Sequence, residues 1–512
     1  MSDWSAGYVA DIGYTFGYYS ELNPMRIQLA FLNAGLVFPE VGTACELGYG
    51  QGISINMHAA ASVTEWHGTD FNPAQAGFAQ ELAGVARSNV KLYDESFAEF
   101  CTRDDLPQFD SIGLHGIWSW ISDENRHIIV DFVRRKLKVG GVLYISYNTQ
   151  PGWASMVPMR ALLTEHSEVM GAQGVGIVPR IDAALEFAEK LMATNPMYAR
   201  ANPLINDRLK AMKGQNRSYL AHEYFNRDWH PMPFAKMAEW LAPAKLDFAC
   251  STHYFDHIES INMSPEQMAL LKEVPDRMFR ETVRDFMVNQ QFRRDYWVRG
   301  LRKLPDFARA EQLREQRVIM TTPRQDVPLT IKAGIADANL QESVYGPILD
   351  ALADNKIKTF GQVEKAVAER GIKFPQVVQA LFVMIGAHHV FLAQPDAVIA
   401  KARPVTDRLN AYLWDMARST GDINVVASPV TGGGFTLGRF GQLFLLARKL
   451  GHKTPGDWAK YASSVLTAQG QRMLRDGKTV DDVEEEVREL TVQATAFNDK
   501  IIPILKSMGI TS

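Results

Sequence analysis

Apolar residues between positions 41 and 147 fall into short runs typical of buried strands, separated by longer stretches with helical spacing. The runs predict strands at Thr43–Leu47, Glu65–Asp70, Val90–Tyr93, Phe109–His115 and Val142–Tyr147. The stretches between them predict helices at Ile53–Ala61, Pro73–Ala86 and Asp123–Leu137. Ser122 is expected to cap the last helix and Gly140–Gly141 to end it. This alternation predicts an α/β fold, a parallel sheet with helices on both faces.

The pattern becomes mostly helical after Pro151. Residues 155–215 have helical spacing, and Leu246–Tyr254 is a candidate for a further strand. Charged helices are expected from Pro265 to Lys303. They include the segment FRRDYWVRG (Phe292–Gly300), which we expect to pair with acids such as Asp285, substrate docking being the alternative.

The remainder of the chain predicts two more helical regions. Residues 342–395 predict a small helical unit that ends in a strand at His389–Leu392 and resembles a winged helix. The last hundred residues are expected to be helical apart from a glycine-rich turn at Thr431–Gly434.

The composition is that of an ordinary globular protein, with 46% hydrophobic and 22% charged residues. A length of 512 residues predicts two to four domains. The net charge of -4 gives no basic footprint, so nucleic acid is not expected as a partner. Three scattered cysteines predict neither a disulfide framework nor a zinc site, and no metal is expected. The sequence shows neither a secretory signal nor a run of about 20 apolar residues. We therefore expect a cytoplasmic protein with no membrane insertion.

The segment ELGYGQG, from Glu46 to Gly52, directly follows a predicted strand and directly precedes a predicted helix. Gly48, Gly50 and Gly52 allow a sharp turn and a close approach of the backbone to a ligand. The spacing differs from the dinucleotide pattern, and Glu46 would repel a pyrophosphate. These details favour S-adenosyl-L-methionine (AdoMet) over NAD, with Glu46 on the amino acid moiety and Tyr49 within the loop.

Asp70, in the segment HGTDFNP, ends the second predicted strand about two dozen residues after Glu46. An acid at this position can accept hydrogen bonds from both hydroxyls of a ribose. The alternative is an aspartate that caps the helix beginning at Pro73. We place Asp70 and the adjacent Phe71 among the cofactor-binding candidates.

The fourth and fifth predicted strands end in LHGIWSW and SYNTQPGW. Ligands of open α/β sheets lie at the carboxyl ends of the strands, so these segments should face the transferred methyl group. The candidate catalytic residues at these strand ends are His115, Trp118, Tyr147 and Asn148. His115 is also a candidate for contact with the cofactor. His115 is either a base or a structural residue, and Asn148 either orients the substrate or forms a turn. Trp120 and Trp153 are expected to be structural.

An aromatic lining suits the chemistry of methyl transfer to an amine. Aromatic faces attract both a sulfonium cation and a methylated ammonium. A lysine acceptor must first lose its proton, which from a pKa of about 10.4 costs roughly 4–5 kcal/mol at pH 7. A largely uncharged aromatic pocket reduces this cost because it disfavours the ammonium form.

The tyrosines of the segment YTFGYYSELNP (Tyr14–Pro24) precede the first predicted strand. They either close over the cofactor as a lid or pack against the sheet. We include Tyr18 among the cofactor-binding candidates as part of such a lid.

Motifs along nearly the whole chain resemble one family, the bacterial class I methyltransferases that carry a methyltransferase regulatory domain. This family includes protein-lysine methyltransferases that act on bacterial outer-membrane proteins. The segments that carry the resemblance are GYYSELNP, ACELGYGQG, GTDFNP, FDSIGLHGIWSWIS, GGVLYISYNTQPGW, YLAHEYFN, FRRDYWVRG, ASPVTGGG and GQRMLRDGK. HGIWSW and YNTQPGW are much more specific than the glycine loop.

The resemblance implies a Rossmann-like class I methyltransferase core with additional, largely helical domains. The implied boundaries are 1–160 for the AdoMet-binding core, 161–218 for a helical, dimerisation-like segment, 219–310 for the regulatory domain, 311–395 for the winged-helix-like unit and 396–512 for a helical C-terminal domain. The loop residues from Glu46 to Gly52 match the family's cofactor loop, and Asp70 matches its ribose acid. His115 and Tyr147 match positions that border the methyl group.

The adenine contact is where this chain departs from the family. Many class I methyltransferases have an acid after the third strand that accepts from the adenine amino group, with an apolar residue against the ring. This chain has Ser96 and Phe97 there, so Asp94, Ser96 or a backbone carbonyl would have to serve. Phe97 either lies beside adenine or belongs to the core.

Three functions are compatible with these features. The leading hypothesis is a protein N-methyltransferase that acts on lysine, because a large accessory region suits a protein substrate. A homodimer is possible. The alternatives are a small-molecule N- or O-methyltransferase, with a sealed cavity instead of an open groove, and a scaffold protein that binds AdoMet without turnover.

Overall fold

The centre of the computed structural model is a seven-stranded sheet. The structure describes residues 13, 15–171, 174–332, 334, 337–475 and 478–512. The strands are β1 (Thr43–Leu47), β2 (Glu65–Asp70), β3 (Lys91–Asp94), β4 (Phe109–Leu114), β5 (Leu137–Asn148), β6 (Leu246–Ser251) and β7 (Phe292–Arg299). Their order is β3-β2-β1-β4-β5-β7-β6, with β1–β5 parallel and β7 antiparallel to both of its neighbours.

Helices cover both faces of this sheet, as the sequence predicts. The first helices are α1 (Pro24–Asn33), α2 (Ile53–Ala61), α3 (Pro73–Ala86), α4 (Phe97–Phe100) and α5 (Asp123–Lys136). Helices α1 and α2 pack on one face, and α5 packs on the other. The predicted ends of β1, β2, α2 and α3 are correct, and the Ser122 side chain caps α5 by accepting from the Asn125 backbone N–H. The α/β class is therefore confirmed.

The glycine pair after α5 does not end that helix, contrary to the prediction. Helix α5 stops at Lys136, and the chain continues directly into β5 at Leu137. Gly140 and Gly141 lie inside this twelve-residue strand, where Gly140 has a φ of 82°. The longer strand carries Tyr147 and Asn148 to the end of the sheet.

The segment FRRDYWVRG forms β7, so the prediction of a helix is wrong. Arg293 and Asp295 are two residues apart and therefore share one face of the strand. Tyr296, Trp297 and Val298 are buried between β5 and β6. The sheet is thus completed by residues far beyond position 160, within the range predicted for the regulatory domain.

Between β5 and β8, the described residues form ten further helices. They are α6 (Val157–Val169), α7 (Ile177–Ala193), α8 (Met197–Ala201), α9 (Ile205–Lys213), α10 (Arg217–Tyr224), α11 (Phe234–Leu241), α12 (Glu259–Asn262), α13 (Pro265–Lys272), α14 (Arg277–Met287) and α15 (Asp306–Glu315). Helices α6, α7, α9 and α10 share one small core, whereas α11 packs with α5 on the central sheet.

Three short strands precede the unit predicted over 342–395, namely β8 (Arg317–Met320), β9 (Thr330–Ile331) and β10 (Ala338–Asn339). The unit itself contains α16 (Glu342–Leu352), β11 (Lys358–Thr359), α17 (Phe360–Val367), α18 (Phe374–Gly386) and β12 (Val390–Leu392). Its two strands pair with β8 in a small antiparallel sheet of order β11-β8-β12. The strand predicted at the end of the unit is β12.

The C-terminal part packs its own core and also covers α2 and α3 of the central domain. Its elements are α19 (Asp396–Met416), β13 (Val425–Ser428), β14 (Gly433–Thr436), α20 (Arg439–Lys449), α21 (Pro455–Ala468), β15 (Leu474–Arg475), β16 (Lys478–Thr479), α22 (Val483–Ala496) and α23 (Ile502–Ser507). The predicted glycine turn connects β13 and β14 as a hairpin. In the part of the chain that the structure describes, no helix has both the length and the apolar character needed to cross a membrane.

A buried ionic network ties β7 to the rest of the sheet. Arg293, 3% exposed, lies 2.6 Å from Asp285, 2.9 Å from Asp295 and 2.8 Å from Glu281. Tyr147 of β5 donates a hydrogen bond to Asp295 at 2.9 Å. The expected pairing of this segment with Asp285 is therefore present. Because these charges are removed from water, loss of one partner leaves the others uncompensated.

We predict that Arg293→Leu lowers the free energy of unfolding by about 3–5 kcal/mol, because Asp285 and Asp295 would remain buried without their cation. Urea denaturation followed by tryptophan fluorescence measures this loss. Arg134→Leu is the control, because Arg134 pairs with Asp131 on the surface, where such a pair contributes at most about 1 kcal/mol. Equal effects of the two substitutions would contradict the role of the network.

Candidate functional site

A cavity lies at the carboxyl ends of the first four strands. Its walls come from the segment before α1, from the loops that follow β1, β2, β3 and β4, and from Asp228. Among the predicted site residues, those that line it are Gly48, Tyr49, Gly50, Asp70, Phe71, Ser96, Phe97 and His115. The topology therefore brings together residues from four separate loops at the sheet edge where α/β proteins bind ligands.

The loop after β1 turns sharply through three glycines with positive φ, namely 70° at Gly48, 57° at Gly50 and 71° at Gly52. Residues other than glycine rarely adopt this backbone conformation. A Cβ on Gly48 would lie 2.5 Å from the Ile117 side chain in the cavity wall. Gly52 has a different role, because its Cβ would lie 2.3 Å from Ala79 Cβ on α3. Gly52 thus permits the packing of α2 on α3 and does not line the cavity.

Asp70 fixes the shape of this loop. One carboxylate oxygen accepts the Gly50 backbone N–H at 2.8 Å, and the other accepts the Asn72 backbone N–H at 3.0 Å. Asp70 is 6% exposed, and burial raises its pKa to about 6 in spite of these two hydrogen bonds. The helix that follows is capped by Asn72, not by Asp70. The alternative of a capping aspartate is therefore wrong.

Glu46 is buried at the end of β1, two residues before the cavity-lining Gly48, and is not itself in the lining. Its side chain is 1% exposed, and Oε2 has no hydrogen-bond partner. The residues beside it on the neighbouring strands are Gly68 and Gly113, which offer no side chain that could bond the carboxylate. Burial, with a further contribution from Asp70, raises the pKa of Glu46 well above its usual range. This carboxylate can hold a cationic group that reaches it.

The loop after β3 differs from the prediction in one residue. The Ser96 hydroxyl caps α4 in a capping box with Glu99, so its one O–H donor and one of its two acceptor sites are already used. Glu95, which was not predicted, lines the cavity beside Ser96. Its Oε1 pairs with Arg103 at 2.6 Å, and its Oε2 is buried without a partner. The acid at this position was missed because the strand was predicted to end at Tyr93 rather than at Asp94.

His115 lies at the inner end of the cavity, between two tyrosines. Its Nδ1 is 2.6 Å from Tyr144 Oη, and its ring is stacked on Tyr19 with 3.5 Å between centroids. Burial lowers the pKa of His115 to about 4, the Glu21 carboxylate opposing and Arg294 reinforcing this shift. The imidazole is therefore uncharged at neutral pH and a weak base.

Three of the candidate catalytic residues lie outside the cavity lining. Trp118 is fully buried in the core below α5 and donates its indole N–H to Met232 Sδ at 3.4 Å. Tyr147 is fully buried in the ionic network of β7. Asn148 is 3% exposed and bonds Ser119 through its backbone N–H. None of these three side chains belongs to the cavity lining.

Two residues that were not predicted for the site line the cavity. Trp120, predicted to be structural, lines the cavity and donates its indole N–H to the Glu223 carbonyl at 3.3 Å. Asp228 also lines the cavity, from a segment more than 100 residues away in sequence. The sequence carries a signal for Trp120, which is in the predicted motif HGIWSW, and none that would place Asp228 beside it.

Of the tyrosines before α1, one lies at the cofactor cavity and another packs against the rest of the protein. Tyr19 lines the cavity, whereas Tyr18 packs against His58 and the glycine turn of the C-terminal hairpin. The prediction that Tyr18 binds the cofactor is therefore not supported by its position. Tyr14 lies outside the described residues. Among the residues that the structure describes, no group of three or more histidines, cysteines or acids is arranged to hold a metal ion.

The chain is similar to known proteins over its full length. It is 37% identical over 513 residues to the uncharacterized protein sll1526 of Synechocystis, covering 99% of this chain and 100% of that one. Residues 216–299 match the model of a predicted methyltransferase regulatory domain. That range includes Asp228 and both β6 and β7.

Two solved structures of PKMT2 from Rickettsia typhi have the same fold. The complex with S-adenosylhomocysteine (AdoHcy) matches with a TM-score of 0.67 and 19% identity, covering 94% of this chain and 98% of that chain. The structure without it matches with a TM-score of 0.66 and 18% identity, covering 98% and 99%. The chain thus belongs to the family of the Synechocystis protein sll1526, and it has a class I methyltransferase fold with a methyltransferase regulatory domain.

Proposed function

We propose that this protein transfers a methyl group from AdoMet to the side-chain amine of a protein lysine. The observation that carries the proposal is that the glycine loop, Asp70, Glu95 and the aromatic residues Tyr19 and Trp120 all line one cavity. The PKMT2 structure of the same fold was solved with AdoHcy, the product of methyl transfer from AdoMet.

The residues of the cavity, together with the buried Glu46, fit the parts of AdoMet one by one. Gly48 and Gly50 allow the backbone to approach the ligand closely. The unpartnered Oε2 of Glu46 suits the ammonium of the methionine moiety, and the unpartnered Oε2 of Glu95 suits the adenine amino group. Each Asp70 oxygen has further acceptor capacity for a ribose hydroxyl. A ligand that supplies donors would satisfy both of these buried acceptors.

When bound, AdoMet supplies an electrophilic methyl group on a sulfonium. The task of the chain is then to align an amine with this methyl group and to exclude water. Tyr19 and Trp120 present aromatic faces that attract cations. His115, uncharged at neutral pH, adds no positive charge that would repel either the sulfonium or an incoming ammonium.

A lysine acceptor is supported by the presence of both Trp120 and Asp228 in the cavity lining. An aromatic ring and a carboxylate each attract an ammonium group, and Asp228 already lies within 3.5 Å of Arg227 and 3.3 Å of His230. Asp228 comes from the range matched by the regulatory domain, so a region outside the first five strands shapes the acceptor side. PKMT2 from Rickettsia typhi has this fold over 94% of the present chain.

We predict that Asp70→Asn weakens AdoHcy binding by about 10- to 100-fold, because the neutral amide loses charge-assisted hydrogen bonds worth about 1.5–3 kcal/mol. Isothermal titration calorimetry measures the change. Asp94→Asn is the control, because Asp94 is the register partner of Asp70 on β3 but does not line the cavity. An unchanged affinity in Asp70→Asn would remove this carboxylate from the site.

The role of Glu95 is tested by comparing AdoHcy with S-inosylhomocysteine, which lacks the adenine amino group. The parent protein is expected to prefer AdoHcy by about tenfold or more, and Glu95→Gln should lose most of this preference. Glu99→Gln, which changes an exposed acid in the first turn of α4, should keep it. A preference that survives in Glu95→Gln would show that another group contacts adenine.

The acceptor class is tested with tritiated AdoMet and a bacterial lysate. We expect label in protein bands, with mass spectrometry placing the methyl groups on lysine. Asp228→Asn should reduce this labelling at least tenfold with little change in AdoHcy affinity, whereas Asp247→Asn, on the exposed side of β6, should not. Label found only in small molecules would contradict a protein acceptor.

A further inference from the structure

The strap, residues 18–23, crosses from the cavity to the C-terminal part of the chain. At its far end, the Asn23 amide donates hydrogen bonds to the backbone carbonyls of Thr431 at 2.9 Å and Gly432 at 3.3 Å. The Asn23 side-chain oxygen meanwhile accepts the Met25 backbone N–H and caps α1. Asn23 is 6% exposed, so these bonds are made away from water, where a lost partner is costly.

The glycine turn, residues 431–434, is shaped to receive the strap. A Cβ on Gly433 would lie 2.3 Å from Tyr18 Oη, and a Cβ on Gly434 would lie 3.0 Å from the Tyr18 ring. Gly432 has a φ of 64°, which larger residues rarely adopt. Tyr18 therefore occupies the space that side chains would otherwise fill. The packing against the glycine turn explains the position of Tyr18, which does not line the cofactor cavity.

His58, on α2, lies between the same two segments, and because burial lowers its pKa to about 4 its single N–H can donate to one of their carbonyls. Its Nε2 is 3.1 Å from the Tyr19 carbonyl, and its Nδ1 is 3.5 Å from the Gly432 carbonyl. The ring is fully buried and stacked on Trp66 with 5.4 Å between centroids. The strap is thus held on α2 and on the turn together.

At its near end, the strap forms a wall of the cavity. The Tyr19 backbone N–H donates to Ser54 Oγ at 3.0 Å, and the Tyr19 ring is stacked on His115. Tyr296 donates to the Glu21 carbonyl at 2.6 Å, and Glu21 pairs with Arg294 at 2.6 Å. Continuous contacts therefore lead from the glycine turn through the strap to the ring that lines the cavity.

We infer that the C-terminal glycine turn is a positioning element of the cofactor site, which holds the strap so that Tyr19 forms the wall beside His115. This inference rests on the proposed function. A part of the chain that gives no strand to the central sheet then controls how firmly the nucleoside is held. If the strap is released, it must be ordered again each time the nucleoside binds. The lost conformational entropy then weakens nucleoside binding.

The test uses two variants of the full-length protein. Asn23→Asp keeps the acceptor that caps α1 and removes the donors to the turn, and its control is Asn216→Asp, a capping asparagine on the exposed end of α10. Gly433→Ala places a methyl group against Tyr18. Its control is Gly456→Ala, where the Cβ would find no atom closer than 3.9 Å.

Two measurements are made on each protein. The first is hydrogen exchange of the peptide that covers residues 18–23, with no nucleoside present. The second is the rate at which AdoHcy dissociates. In Asn23→Asp and Gly433→Ala we expect at least tenfold faster exchange in the strap, unchanged exchange in β1 and β4, and at least fivefold faster dissociation of AdoHcy. Both controls should match the parent.

The outcomes separate this inference from the function on which it rests. A parent protein that does not bind AdoHcy would contradict the proposed function, while the exchange data would still report whether the turn holds the strap. Unchanged exchange in the strap of both variants would overturn the inference. Faster exchange with unchanged dissociation of AdoHcy would overturn it as well, because the strap would then not bear on the cofactor.

Discussion

The hydrogen bond from the Gly50 backbone N–H to the Asp70 carboxylate is the constraint on which the site depends. It joins the loop after β1 to the end of β2 at 2.8 Å, and it requires the positive φ that Gly50 adopts. The same bond orients the carboxylate, so that its remaining acceptor capacity is available to a ligand. A loop that turned differently would bring neither the backbone nor the acid to the cavity.

Elements with local signals could be predicted from the sequence. The strand ending at Leu47, the glycine turn and the strand ending at Asp70 each follow from a few neighbouring residues, and their ends are correct. The cap at Ser122 is also local, because a side chain bonds a backbone group three residues away. A one-residue error in β3 was enough to hide Glu95, whereas the general position of the cavity was not affected.

Features that depend on distant partners could not be predicted. Arg293 and Asp295 suggested a helix because their charges look exposed, yet the acids of α14 and Tyr147 of β5 compensate them inside the sheet. Trp118 and Tyr147 belong to motifs at the correct strand ends, but the packing of α5 and β7 decides where they point. Asp228 reaches the cavity from the regulatory range, and no local pattern records that approach.

The central claim is that a nucleoside occupies the cavity at the ends of β1–β4. A crystal structure of the protein soaked with AdoHcy tests it most directly. We expect both ribose hydroxyls within hydrogen-bond distance of Asp70, the adenine amino group at Glu95 and the ammonium at Glu46. Density for AdoHcy elsewhere on the protein, with the cavity closed by its own side chains, would contradict the account.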